Sequence, residues 1–463
     1  MSDPAVDSVS DRLEQEIGDL FASHRLIGAS VGIVRDQELV WTRGFGFADI
    51  ETGRTPDEHT IYRVASNTKT FTATAIFQLR DEGKLLIDDP VVKYIPEFAS
   101  VKPVKASVES VTLRRLLCHH SGLMGEAPGD YWEAREFPTI AEFLDRLPEV
   151  ELVIEPDSAF KYSNLAFALL GEVVARVSGR AYEEYVHTEI LAPLGMSSSV
   201  FALTDELGPR MATGYQVRRY EDSPGIATHA PLNGHTAAGQ LYSTVSDLAK
   251  WLSLQFRTDV AERGGAQVLA GSSLVEMHRP QFMEPDWQSG ACLPWAAARF
   301  GDQVFLGHGG GVFGFLTQTR FCVQDKLGVI WLTNADGHAA NLPITERIIH
   351  TLAQADAGVS QPRPPTKPVP TPEEWRDFLG TYVGELGGIM NIEFRDGALL
   401  VVAPPGERVV APPVKLEPTE VPDTFMVTSG RGAGEPLLFK RDQEGNVASL
   451  SNAGFVSRKL VTA

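Results

Sequence analysis

The spacing of apolar residues changes from helical to strand-like within the first fifty positions. Leu13, Ile17, Leu20 and Phe21 fall on one face of a helix predicted over residues 10 to 23. From Ala29 to Trp41 the chain alternates and turns, so a β-hairpin is expected over residues 29 to 48. A helix start is expected within the run Arg63 to Leu79. Another follows Tyr162-Ser163-Asn164, where Leu165 to Val174 is almost wholly apolar. Strand patterns return at Val304 to Leu306, Phe313 to Arg320 and Leu327 to Thr333, before a helical stretch from Leu342 to Ala355.

Beyond that point the texture shifts. Gln361 to Pro372 holds six prolines in twelve residues and reads as a semi-rigid linker. Leu379 to Val383, Met390 to Val402, Pro436 to Arg441 and Ala448 to Leu450 then read as short strands separated by Gly, Asn and Asp turns. The expected organisation is a main domain over 1–355, a linker over 356–372 and a β domain over 373–463.

Composition narrows the function classes. A net charge of −19 and a pI near 5.1 argue against nucleic acid or anionic membrane as a partner. Cys118, Cys292 and Cys322 form no Cys-x-x-Cys and cannot all pair, as expected of buried thiols in a reducing compartment. The acidic N-terminal stretch has no apolar signal core, and no segment approaches the roughly 18 apolar residues of a membrane span. A cytoplasmic location is the expectation.

The candidate chemistry centres on Ser66-Asn67-Thr68-Lys69. Residues at i and i+3 of a helix share a face, with Cβ atoms about 5–6 Å apart. Lys69 can therefore reach the Ser66 hydroxyl, and the helix N-terminus favours developing negative charge. Burial and nearby positive charge lower a lysine pKa, which lets such an amine act as a base. A chain of this length should hold about two Ser-x-x-Lys by chance, and Ser158-Ala159-Phe160-Lys161 is a second. Two further elements, Tyr162-Ser163-Asn164 and His308-Gly309-Gly310-Gly311, select between them. In the order Ser-x-x-Lys, Tyr-x-Asn, His-x-Gly, Ser66 alone fits.

Read together, these motifs resemble those of the penicillin-recognising serine hydrolases: class C β-lactamases, D-alanyl-D-alanine carboxypeptidases, D-aminopeptidases and β-lactamase-like esterases. Leu116 to Leu123 resembles the family's Leu-Leu-Thr-His-Thr-Ser-Gly-Leu, and Gly239 to Leu248 its Gly-Gly-Leu-x-Ser-Thr-x-x-Asp-Leu. Pro193 to Met196 and Leu332 to Asn334 agree as well.

The resemblance implies an α/β (α+β) fold, an antiparallel sheet packed by helices with a mostly helical insertion. The C-terminal strands resemble a lipocalin-like β-barrel, either a stabilising accessory or an element of substrate gating. By the same resemblance Ser66 is the nucleophile and Lys69 and Tyr162 share proton management. Asn164 binds Lys69 or the substrate's acyl side, the N–H groups of Ser66 and Gly311 hold the oxyanion, and His308 and Gly310 lie along the substrate. No cofactor or metal is called for, and His119-His120 is expected to be structural.

Many β-lactamases and carboxypeptidases of the family that the motifs resemble place Lys-Thr-Gly at the position matching 308, to grip a substrate carboxylate. His308-Gly309-Gly310 offers a mostly neutral imidazole and no hydroxyl. Small uncharged esters or amides are therefore expected, with short or D-residue peptides as the alternative and β-lactams or acyl transfer behind them. A homo-oligomer is compatible with this reading. The rival nucleophile elbow, Gly28-Ala29-Ser30-Val31-Gly32, sits inside the predicted hairpin rather than at a strand-to-helix turn.

Overall fold

The computed structural model describes residues 4–216, 224–258, 267–300, 303–353, 371–384, 388–395, 397–402, 414–429 and 432–460. The linker expected over 356–372 lies outside them, apart from Thr371 and Pro372.

The first helix is Pro4–Ser23, and its Leu13 and Ile17 are fully buried. They pack with Ile344, Ile348 and Leu352 of the helix Asn341–Ala353. Together these helices cover one face of an eight-stranded antiparallel sheet. Its strands run in the order Glu38–Gly46, Gly28–Arg35, Leu327–Thr333, Phe315–Cys322, Gln303–Val312, Ala296–Phe300, Ser289–Ala291, Phe282–Met283. Ala29 lies opposite Thr333 and Arg35 opposite Leu327, so the N-terminal hairpin and the late strands close one sheet, as expected.

Strand alternation sorts the two faces. Ala29, Val31 and Ile33 face the terminal helices, while Val34, Ile330 and Leu332 join the larger core on the other side. There the helix Val245–Gln255 lies close against the sheet because two strand positions lack a side chain. A Cβ on Gly32 would stand 2.4 Å from Val245 Cγ1, and one on Gly328 2.9 Å from Leu252 Cδ1. This accounts for the glycine of the rival elbow. Ser30 itself is buried in mid-strand, bonded to Asp57 O at 2.6 Å and the Tyr62 hydroxyl at 2.9 Å.

Between Arg63 and Phe282 the regular elements of the described residues are mostly helices, with Thr68–Asp81, Asn164–Ser178, Val245–Gln255 and Gly271–His278 as the longer ones. The first of these is buried along nearly its whole length although it is rich in threonine. Its hydroxyls are satisfied locally: Thr68 donates to Ala65 O at 2.6 Å, Thr70 to Asn67 O at 2.7 Å and Thr74 to Thr70 O at 3.0 Å. Self-bonding lets a polar sequence form a core helix without orphaned groups.

The C-terminal strands form a closed eight-stranded antiparallel barrel spanning Gly380 to Lys459. Phe378, Tyr382, Phe425 and Phe439 fill it together with Ile392, Leu399 and Leu450. The strand-like stretch Met390 to Val402 forms two strands, Ile389–Arg395 and Ala398–Val402. Val414–Pro418, Thr424–Val427 and Phe455–Lys459 complete the ring. Among the described residues, no helix is long and apolar enough to cross a membrane.

Candidate active site

Ser66 lies in a 3-10 turn, Ala65–Asn67, that runs directly into the helix Thr68–Asp81. Ala65 before it has φ of +47°, a left-handed conformation that costs an L-residue about 1–2 kcal/mol. Its surroundings hold the turn in place. Asn67 donates to Thr317 Oγ1 at 3.0 Å and accepts from Thr319 Oγ1 at 2.7 Å, while Thr317 donates to Val64 O at 3.1 Å. The second residue of the motif thus ties the nucleophile turn to the sheet.

Lys69, one helical turn on, is fully buried. Its Nζ lies 3.1 Å from Ser66 Oγ, 2.7 Å from Asn164 Oδ1 and 2.7 Å from Ala238 O. Three neutral oxygens satisfy the three donors of an ammonium. They equally suit a neutral amine, whose two N–H groups can serve the amide and carbonyl oxygens while its lone pair meets the Ser66 hydroxyl. The amine also lies 5.0 Å from the centre of the Tyr162 ring.

Tyr162-Ser163-Asn164 works as a helix start. Ser163 caps the helix Asn164–Ser178 by accepting from Ala166 N at 2.9 Å. The cap sets Asn164 on the first turn, where it is buried against Lys69. The Asn164 amide donates through Nδ2 to Glu126 Oε1 at 2.5 Å, which settles its orientation, since a carboxylate only accepts. Glu126 Oε2 in turn lies 2.7 Å from His235 Nε2. A buried chain therefore runs Lys69, Asn164, Glu126, His235. Sequence reasoning missed Glu126 and His235, which occupy irregular loop and 3-10 segments without periodicity to mark them.

His119 stacks on Tyr162 with ring centres 4.2 Å apart and accepts from Ser163 N at 3.1 Å. His120 stacks on Phe282 at 3.7 Å. The pair orients the tyrosine segment and packs the core. The second Ser-x-x-Lys forms no helix: Ser158 bonds Glu155 O at 2.5 Å, and Lys161 pairs with Glu435 of the barrel.

His308 to Gly311 lie within the strand Gln303–Val312 rather than in a turn, with Gly310 opposite Thr317 and Gly311 opposite Leu316. Glycine is a poor strand former, and here it marks a close approach. A Cβ on Gly310 would stand 2.3 Å from Val64 O and 2.5 Å from Thr317 Oγ1. The missing side chain at Gly310 is what seats the strand against the nucleophile turn. His308 Nδ1 lies 2.6 Å from Gly309 O, so this nitrogen carries the proton and Nε2 the lone pair. Burial pushes the His308 pKa down to about 4, with a smaller push from Lys69 whenever that amine is protonated. The imidazole is neutral at pH 7.

Ser66, Asn164 and Gly311 line one narrow cleft, partly open to solvent, with an enclosed volume of about 20 Å³. Trp132, Leu232, Val312 and Phe455 give it an apolar wall.

The sequence model of the Beta-lactamase family matches residues 11–354, most of the chain. The chain belongs to the β-lactamase family of serine hydrolases. Within it, Beta-lactamase-like protein 2 of Dictyostelium discoideum is 27% identical over 426 residues, covering 86% of this chain and 75% of that protein. Protein flp of Staphylococcus aureus (strain MW2) is 28% identical over 319 residues, 68% of this chain and 61% of its own length. Against other relatives, such as Protein flp of strain N315, the chain spans about half, 47%. Among solved structures, the octameric penicillin-binding protein homologue from Pyrococcus abyssi is 26% identical with a TM-score of 0.64, covering 97% of this chain and all of that one. A class C β-lactamase from Rhodobacter sphaeroides shares the fold at 21% identity and a TM-score of 0.61, over 74% of this chain and 98% of its own. The β-lactamase family match ends at residue 354, before the barrel begins.

Proposed function

We propose that the protein hydrolyses small uncharged esters or amides through an acyl-enzyme on Ser66. Lys69, in its neutral form, takes the Ser66 proton as the hydroxyl oxygen attacks the carbonyl carbon, with Tyr162 beside it in the same proton path. The N–H groups of Ser66 and Gly311 receive the oxyanion. Collapse expels the leaving group, which takes up the proton. Water then attacks the ester, loses a proton to the same base and frees Ser66.

The neutral His308 carries the choice of substrate. With Nδ1–H committed to Gly309 O, its remaining nitrogen is an acceptor, and Gly309 adds no hydroxyl. Neither group suits a substrate carboxylate, whereas an uncharged ester or amide asks for no such grip. The test is a panel of p-nitrophenyl butyrate, neutral amides, D-residue peptides and a β-lactam, run on the wild type and on Ser66→Ala. Butyrate and neutral amides should be turned over by the wild type and lost by about 10³-fold or more in the variant. Preference for the acidic substrates, or equal activity in both proteins, would refute the proposal.

A further inference from the structure

One wall of the cleft comes from the barrel. The hairpin between Val447–Asn452 and Phe455–Lys459 turns at Ala453 and Gly454, whose φ angles are +49° and +79°. Its tip enters the active site. Phe455 lines the same cleft as Ser66, Asn164 and Gly311, with its ring 5.4 Å from that of Trp132. A Cβ on Gly454 would lie 3.7 Å from Glu126 Cγ, ordinary contact distance, so the turn stands beside the stem of the side chain that holds Asn164.

A neighbouring barrel loop seats the hairpin. Glu435 pairs with buried Lys161, the residue before Tyr162, and accepts from Gly125 N at 2.9 Å. Gly434, at φ +75°, sits where a Cβ would meet Ile154 Cγ2 at 2.2 Å. The two loops also touch each other, since a Cβ on Gly432 would strike Asn452 Oδ1 at 2.1 Å. The Glu435 loop thus grips the segments that flank Tyr162 and Glu126, and it braces the hairpin beside it. An accessory that merely rode on the enzyme would need no side chain in its cleft.

We infer that the barrel completes the active site and that Phe455, closing against Trp132, limits the length of the acyl group the enzyme accepts. The inference rests on Ser66 as nucleophile. While the acyl group is attached to Ser66, the walls around that residue confine it and the leaving group has gone. A ring at the end of an apolar cleft then excludes long chains by contact, and each methylene admitted or refused is worth about 10-fold or more in kcat/KM.

The experiment compares p-nitrophenyl acetate, butyrate and octanoate, which share one leaving group, on the full chain. The wild type should favour the short esters. Phe455→Ala should raise the octanoate-to-acetate ratio of kcat/KM by at least ~10-fold, and Phe455→Trp should lower it. Leu438→Ala, on the exposed outside of the barrel, should leave the ratio unchanged. An unaltered ratio in both Phe455 variants, with turnover still lost in Ser66→Ala, would overturn the inference and leave the catalytic reading standing. Turnover that survives Ser66→Ala would sink the reading itself. Should the wild type turn over none of the three esters, labelling rates with ethyl and octyl fluorophosphonates give the same comparison. Equal octyl-to-ethyl ratios in wild type and Phe455→Ala overturn the inference.

Discussion

The chain carries the same four-residue motif twice, with opposite outcomes. Ser66 and Lys69 sit one turn apart on a continuous helical segment, oxygen and nitrogen 3.1 Å apart. Ser158 and Lys161 have equal spacing on irregular backbone: the serine is exposed and bonds Glu155 O, and the lysine turns to the barrel. Both lysine side chains are fully buried, so burial does not separate them. Partner chemistry does. Lys69 is held by a hydroxyl, an amide oxygen and a carbonyl, Lys161 by the Glu435 carboxylate. Neutral oxygens leave an amine able to exchange a proton with the serine beside it, whereas a buried carboxylate fixes it in an ion pair.

That contrast is broken most sharply by removing each amine in turn. Lys69→Met should lower kcat by about 10³-fold with little change in the urea midpoint. Lys161→Met should do the reverse, costing about 3 kcal/mol because Glu435 is left buried without its partner. Adding Glu435→Leu should recover much of that loss. Equal effects of both lysine variants on kcat, with stability unchanged, would mean that the partners do not set the roles.

A smaller effect follows from buried histidines. Burial lowers His278 and His338 to about 3 and His308 to about 4. The unfolded chain, near 6.5 at each, therefore binds more protons than the native state as pH falls. Their stabilisation is complete above pH 6.5 and is lost as pH drops through 4 to 3, at most about 1.4 kcal/mol per pH unit for each group. Urea midpoints should decline from pH 7 to pH 5, and His278→Gln should flatten the decline. A flat profile in the wild type would contradict the burial of these rings.

The smallest expected change concerns substrate choice. His308→Lys introduces a cation at that position, and should raise kcat/KM for a substrate with a carboxylate by about 10-fold relative to its neutral ester. No shift in that ratio would remove position 308 from substrate recognition.

Much of the fold was legible because its signals are local. The face of Leu13 and Ile17, the hairpin after Ala29 and the cap at Ser163 each follow from spacing within a dozen residues. The motif order likewise anticipated which serine, lysine and asparagine would meet. The glycines at 309 to 311 were harder to read, since their strand is stabilised by close approach to Val64 rather than by propensity. Barrel strands such as Thr424–Val427, four residues long, are too short to show a period. Least visible were Glu126, His235, Glu435 and Phe455. Gly125 and Glu435 meet across 310 positions of sequence, and a lone phenylalanine in a strand gives no hint that it borders a nucleophile.

The central claim, that local context makes one of two identical motifs catalytic, is tested most directly by mapping a covalent adduct. The wild type and Ser158→Ala are treated with an ethyl fluorophosphonate and digested, and the modified peptide is sequenced by mass spectrometry. A single adduct on Ser66 in both proteins is the expected result; an adduct on Ser158 or Ser30, or labelling that Ser66→Ala leaves undiminished, would contradict it.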